Sequence, residues 1–327
     1  MRAALRKPPS KAGDRVFLGL STASAWVILL ILAGVLVFLL VKAAPAIAAN
    51  WADSSQLQDR TAGNTAGWNS FWPYVGPLLF GTVWSSLIAL VMGTPVAIGI
   101  ALFISHYSPR PLAGVLGYLV DLLAAVPSIV FGLWGVFVMR DFLKPFSTFL
   151  NSYLGWIPLF GGDLSVGGAT ILAGAVVLAV MILPIITAIS REIFLQTPSL
   201  NEEAALALGA TKWEMIRMAV LPYARSGIVS ATLLGLGRAL GETMAIAIIV
   251  SPKLIYSFQL LTDNNPGTIA ANIALQFSGS NELQRDALIG TGLMLFLVSF
   301  AVNFAARWII SQTAPGGRRR RRKARTA

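Results

Sequence analysis

Long uncharged apolar runs alternate with short polar interruptions along most of this chain. Val16 to Val41 holds 26 residues without a charge, more than the roughly 20 that carry a helix across a bilayer. Comparable runs over Leu78–Ser105, Leu112–Met139, Gly167–Ser190, Gly227–Val250 and from Arg285 to about Ile310 predict five more spans. The fold class is therefore an all-α polytopic membrane protein with six transmembrane helices. Gly93-Thr94-Pro95 and Pro127-Ser128 are expected to interrupt the second and third spans, because proline removes a ladder donor and crowds the preceding turn. Ala46-Ile47-Ala48 imitates a signal-peptidase site. A cleaved signal has an apolar core of only about 7 to 15 residues, so the first span is expected to stay. Its organisation reads as a basic tail (1–15), a first helix (16–42), an outer loop (43–75) with Trp51, Trp68 and Trp72, a core (76–310) and a second basic tail (311–327). Within the core, 140–166 and 251–284 are expected as further external segments.

One polar interlude differs from the rest. Within the segment 191–222, Thr197–Pro222 carries two S/T-x-x-E spacings, Ser199 with Glu202 and Thr211 with Glu214, each the pattern of a helix-capping box. Gly209 stands where a first short helix needs a left-handed C-terminal residue, and Pro222 disturbs the ladder of a second. Leu200, Ala204 and Leu208 recur every four residues and give the first helix a narrow apolar stripe. Spacing alone leaves two readings: a connector lying on the membrane surface, or a helix that docks into a groove of another protein.

Composition and charge narrow these readings. The chain is 56% hydrophobic and 12% charged with mean hydropathy +0.72, about half the charge of a soluble domain. Its net charge of +11 lies in tails and short loops, not on the basic face that nucleic-acid binding requires. Of the 25 Lys and Arg residues, 18 fall in the tails, at Arg110 and around the polar interlude, six on the other side, and Arg238 alone within a span. The positive-inside bias thus predicts both termini and the interlude in the cytoplasm. The basic run from Arg318 to Arg325 is read as a contact for anionic headgroups. No cysteine and a single histidine, His106, exclude disulfides and thiol chemistry and leave little for a metal site. His106 itself is read as an interfacial residue.

The exceptional charges are inside spans. Arg238 lies about 11 residues into the fifth run, near the bilayer midplane, and a lone arginine there costs about 2.5 to 3.5 kcal/mol on insertion scales. Glu242, four residues on, would share its helical face and neutralise it. Either the two form a structural ion pair, or the guanidinium, a fork suited to oxyanions, lines a path with Glu242 keeping the empty site neutral. Asp121 is read as a helix–helix hydrogen bond or a residue near the inner interface. Gly237 and Gly241 have the small-xxx-small spacing of close helix packing.

Two stretches carry a resemblance. Glu203-Ala204-Ala205, Gly209 and Leu221-Pro222 resemble the EAA loop of binding-protein-dependent ABC importer permeases, with Ala219 where that pattern has an aliphatic. Gly237-Arg238-Ala-Leu-Gly241-Glu242-Thr243-Met244-Ala245, with Pro127–Gly135, resembles the PstC-type permeases of phosphate-specific ABC transporters. The resemblance implies a type I ABC importer permease fold, a substrate path at Arg238, Glu242 and Thr243, and ATPase docking through Glu203, Ala204, Ala205, Gly209, Leu221 and Pro222. It also implies a PstA-like permease partner, two PstB-like ATPases that hold ATP and magnesium, a PstS-like phosphate-binding protein, and a bacterial cell membrane. No catalytic residue, metal or cofactor is expected in the chain itself, since it has no phosphate-binding loop of the Walker type. A permease for sulfate or molybdate, and more remotely an ATP-independent channel or carrier, remain as alternatives.

Overall fold

A computed structural model describes residues 11–48 and 70–313. The ends of both basic tails and Trp51 and Trp68 lie outside the described residues. The chain is helical almost throughout: α1 (Lys11–Ala48), α2 (Phe71–Leu102), α3 (Arg110–Ala124), α4 (Ser128–Trp134), α5 (Arg140–Leu154), α6 (Ile171–Leu195), α7 (Ser199–Ala207), α8 (Lys212–Met215), α9 (Leu221–Leu240), α10 (Met244–Ile249), α11 (Ile269–Gln276) and α12 (Glu282–Thr313). Five continuous helical stretches are long and apolar enough to cross a membrane, and α3 with α4–α5, bent by 92°, makes a sixth crossing if counted as one span.

Helix α6 is uncharged on all faces as far as Ser190 and is the most buried of these spans, as a helix enclosed by others should be. Its first turn is fixed from three sides. The Thr170 hydroxyl accepts from the Ala173 amide, and Asn265 accepts from the Ile171 amide while donating to the Ala169 carbonyl. Two neighbours approach it through small residues. On α2, Ala89 and Ala97 are fully buried and Gly93 leaves only 3.2 Å between a would-be Cβ and the Ala179 carbonyl; Thr187 donates to the Ala97 carbonyl across the same seam. On α9 the seam is Gly227, Ala231 and Gly235, where added carbons would strike Ile193 and Ile186. Lipid offers no hydrophobic drive for such pairing, so close backbone approach supplies it through dispersion contacts.

Several expectations are corrected here. Helix enters the stretch 43–75 from both ends, since α1 runs to Ala48 and α2 starts at Phe71. Gly93-Thr94-Pro95 does not break α2, where packing on α6 holds the helix through its lost hydrogen bond. The third span does turn sharply at Pro127, as expected, but much of 140–166 is the helix α5 rather than loop. Tight packing falls on Gly235, not on Gly237 or Gly241, whose missing side chains face no neighbouring helix. The segment 251–284 is not simply polar and external. Leu260, Leu261, Ile269 and Ala271 are buried, β1 (Pro252–Lys253) pairs in parallel with β2 (Asn265–Pro266), and the Ile269 amide donates to the Thr82 hydroxyl of α2.

That last contact requires Gly81, whose would-be Cβ lies 2.2 Å from the Gly267 carbonyl. In an open helix Gly→Ala stabilises by about 1 kcal/mol. Gly81→Ala is expected to do the reverse here, lowering stability by about 1 to 3 kcal/mol through overpacking against backbone; thermal unfolding of the detergent-solubilised protein measures the sign.

Candidate functional site

The fifth span breaks at Gly241–Thr243, so Arg238 lies in the last turn of α9, which ends at Leu240, and Glu242 lies in the break just before α10, which starts at Met244. This overturns the expectation of one helical face carrying both charges. No ion pair or hydrogen bond joins them among the described residues. Arg238 sits in the last turn of α9, where unpaired carbonyls favour a cation. The Glu242 side chain is buried and its Oε1 accepts from the Ala245 amide at 3.1 Å, giving the first turn of α10 an acceptor that lipid cannot provide. Thr243 holds the cap position but does not cap; its hydroxyl donates to the Gly241 carbonyl at 3.2 Å.

The far end of α10 is held by a residue the sequence did not single out. Arg140, counted among the external charges, donates to the carbonyls of Ile248 (3.3 Å) and Ile249. The side of α10 rests on the Pro127–Gly135 stretch: an added carbon on Gly132 would come within 3.0 Å of Ala245 Cα, and one on Gly135 within 2.6 Å of Ile249. The glycines of that motif therefore have a packing role, which periodicity alone could not reveal.

Arg238 faces a groove of about 630 Å³ between α9, α6 and α12. Ile185, Leu233 and Leu234 form its apolar walls, and Ser230, Gly237, Asn303 and Arg307 complete it with Arg238. The Nε of Arg238 is buried without a partner. Neither Glu242 nor Thr243 lines this groove. Arg307, assigned by sequence to the basic C-terminal end, was missed as a groove residue.

The polar interlude forms a second feature. Gly209 has φ +83°, the left-handed value its position required, and Thr211 and Glu214 make the full capping box. The first box is absent. Pro198 stands at the cap, so Ser199 falls one position into the helix, and Glu202 turns instead to His106, with Oε1 3.5 Å from Nε2. The His106 side chain is 8% exposed and shares a 2.7 Å hydrogen bond with Ser105, so it packs within the protein. Lys212 lies over the Tyr107 ring at 5.0 Å, a second tie between the end of α2 and the interlude. Pro222 does not end the helix. A wider π turn over Ile216–Val220, closed by the Leu221 amide on the Ile216 carbonyl, passes the chain into α9, so that Lys212–Leu240 is one 29-residue stretch. Leu200 and Leu208 are strongly exposed. Ala204, Ala205, Gly209, Ala219 and Pro222 line a groove of about 800 Å³ between α7 and this stretch, Leu221 packs inward on the cluster around Phe194 and Val220, and Glu203 is exposed. Asp121 lies 4.0 Å from Arg191, which occupies the space left by Gly117.

Comparison with known proteins places these features. Residues 93–315 match the family described as binding-protein-dependent transport system inner membrane component. "Phosphate transport system permease protein PstC 2" of Mycobacterium tuberculosis is 48% identical over 305 residues, covering 92% of this chain and 93% of that protein. "Phosphate transport system permease protein PstC" of Xylella fastidiosa (strain Temecula1) is 40% identical over 294 residues, 86% and 89% of the two chains. Among solved structures, a bacterial alginate ABC transporter in complex with an alginate-bound periplasmic protein superposes with a TM-score of 0.57 at 15% identity, over 90% of this chain and 94% of that one, which speaks for the fold alone.

If Glu242 acts on α10 as a hydrogen-bond acceptor, Glu242→Gln keeps an oxygen for the Ala245 amide and Glu242→Ala does not. The alanine variant is expected to lose about 0.5 to 2 kcal/mol, the usual worth of a helix cap, and the glutamine variant much less, read by thermal unfolding of the solubilised protein.

Proposed function

We propose that this chain, which belongs to the binding-protein-dependent transport system inner membrane components and is a PstC-type permease of a phosphate ABC importer, forms half of the path through which phosphate crosses, with Arg238 on that path. The observation that carries this reading is a guanidinium with no acidic partner among the described residues, on the wall of a groove beside a break in a membrane helix. Discontinuous helices are where membrane transporters bind their cargo, and a fixed planar cation holds an oxyanion in two parallel hydrogen bonds. Glu242 acts at one remove, by holding α10, and Thr243 closes the turn between the two helices.

The other half of the path is a PstA-like permease, and two PstB-like ATPases bind ATP with magnesium and dock on the interlude through Ala204, Ala205, Gly209, Pro222 and the exposed Glu203. A PstS-like binding protein delivers phosphate from the outer side. The charge bias supports a multi-pass protein of the bacterial cell membrane with both termini in the cytoplasm. Because Lys212–Leu240 is continuous, a tilt imposed by the ATPase at α7–α8 reaches Arg238 with little loss, the rigid-lever mode of domain movement.

Arg238→Ala is expected to leave the four-part complex assembled and to reduce phosphate uptake by cells to background; uptake at the wild-type rate defeats the role. At Gly209 the obstacle is conformation rather than space, since nothing lies near a would-be Cβ. Any L-residue at φ +83° pays about 1 to 2 kcal/mol, so Gly209→Trp is expected to distort the loop and abolish phosphate-stimulated ATP hydrolysis, and normal stimulation in co-purified complexes would refute the docking assignment.

A further inference from the structure

The groove that holds Arg238 holds a second arginine, and the balance of charge around the two is unusual. Arg307 comes from α12, one turn beyond Asn303 on the same helical face, and both line the groove opposite Ser230 and Arg238 of α9. No carboxylate lines this space, and neither arginine makes an ion pair among the described residues. The Ser230 hydroxyl is already donated to the Ser226 carbonyl at 2.9 Å. The donors left facing the groove are therefore two guanidinium groups and the Asn303 amide, between walls of Ile185 and Leu233. Two like charges on one groove repel, and the buried, unpartnered Nε of Arg238 has lost its water as well; an anion between the two arginines relieves both costs.

We propose that Arg307 is a second oxyanion-binding residue of the path, which receives phosphate from Arg238 and passes it towards the cytoplasm with Asn303 as an added donor. Ser230 and Arg238 are eight residues apart, about 12 Å along the helix, so the groove is long enough for two successive positions of one ion. Arg307 lies near the C-terminal end of α12, which follows the outer segment, and so belongs at the inward end of the groove. This rests on the reading of Arg238 as a phosphate-path residue. The chemistry recognised is a phosphate group, and it is the free ion rather than a lipid headgroup that the shared groove with Arg238 favours.

The test uses the whole complex of this chain with its partner permease, ATPases and binding protein, reconstituted in vesicles of phosphatidylcholine alone or with phosphatidylglycerol added, and measures uptake of radiolabelled inorganic phosphate. Arg307→Gln is expected to lower the maximal rate about tenfold, the worth of one charge-assisted hydrogen bond, equally in both kinds of vesicle. Arg307→Lys should recover most of that rate, and the unfolding midpoint of the complex should not move. Uptake unchanged in Arg307→Gln overturns the proposal. So does a loss confined to vesicles with phosphatidylglycerol, which assigns Arg307 to headgroups, or a loss that lysine does not recover and that comes with a lower unfolding midpoint, which assigns it to packing. A wild-type complex that moves no phosphate overturns the phosphate reading itself along with this one, whereas wild-type transport beside an unaffected Arg307→Gln rejects only the role of Arg307.

Discussion

Inside a bilayer, a backbone amide or carbonyl without a partner has no water to turn to, and a break in a membrane helix is stable only where protein groups replace the lost ladder. Six-residue α10 is the point at which this chain meets that constraint. Glu242 accepts from its first turn, Arg140 donates to its last carbonyls, and Gly132 and Gly135 let the bent third span lie against its side. These contacts join the third and fifth spans and hold the end of α9, and with it Arg238, at a fixed place. Glu242 is committed to the backbone, and Arg238 has no ion pair among the described residues, which is what the proposed role in the path requires.

The same logic of small residues and satisfied ends extends to the inner side. Gly227, Ala231 and Gly235 bring α9 against α6, and the π turn before Pro222 accommodates the missing amide without ending the helix. The proposed phosphate residue Arg238 and the proposed ATPase surface thereby share one continuous helical stretch. His106 with Glu202 and Tyr107 with Lys212 tie the end of the second span to the α7–α8 segment, so a push on α7 would be shared between two spans.

Much of this was legible in the sequence because it depends on patterns of fixed period. Apolar run length gave the spans, and the Thr211–Glu214 spacing and Gly209 a turn that forms as read. What escaped has a common cause, which is that partners distant in sequence decide it. Ser199 and Glu202 have the cap spacing, but Pro198 takes the cap and His106 takes the carboxylate. Arg238 and Glu242 are spaced for one face, but the break between them gives Glu242 to the backbone of α10. Arg140 and Arg307 looked like topology charges because their targets, the Ile248 and Ile249 carbonyls and the groove beside Arg238, lie on other helices.

The central claim is that Arg238, at the end of a helix moved by ATP hydrolysis, is what makes that movement carry phosphate. The most direct measurement is the number of phosphate ions moved per ATP hydrolysed by the reconstituted four-part complex, compared between wild type and Arg238→Ala. The ratio is predicted to fall to nearly zero in the variant while hydrolysis continues. An unchanged ratio would contradict the account.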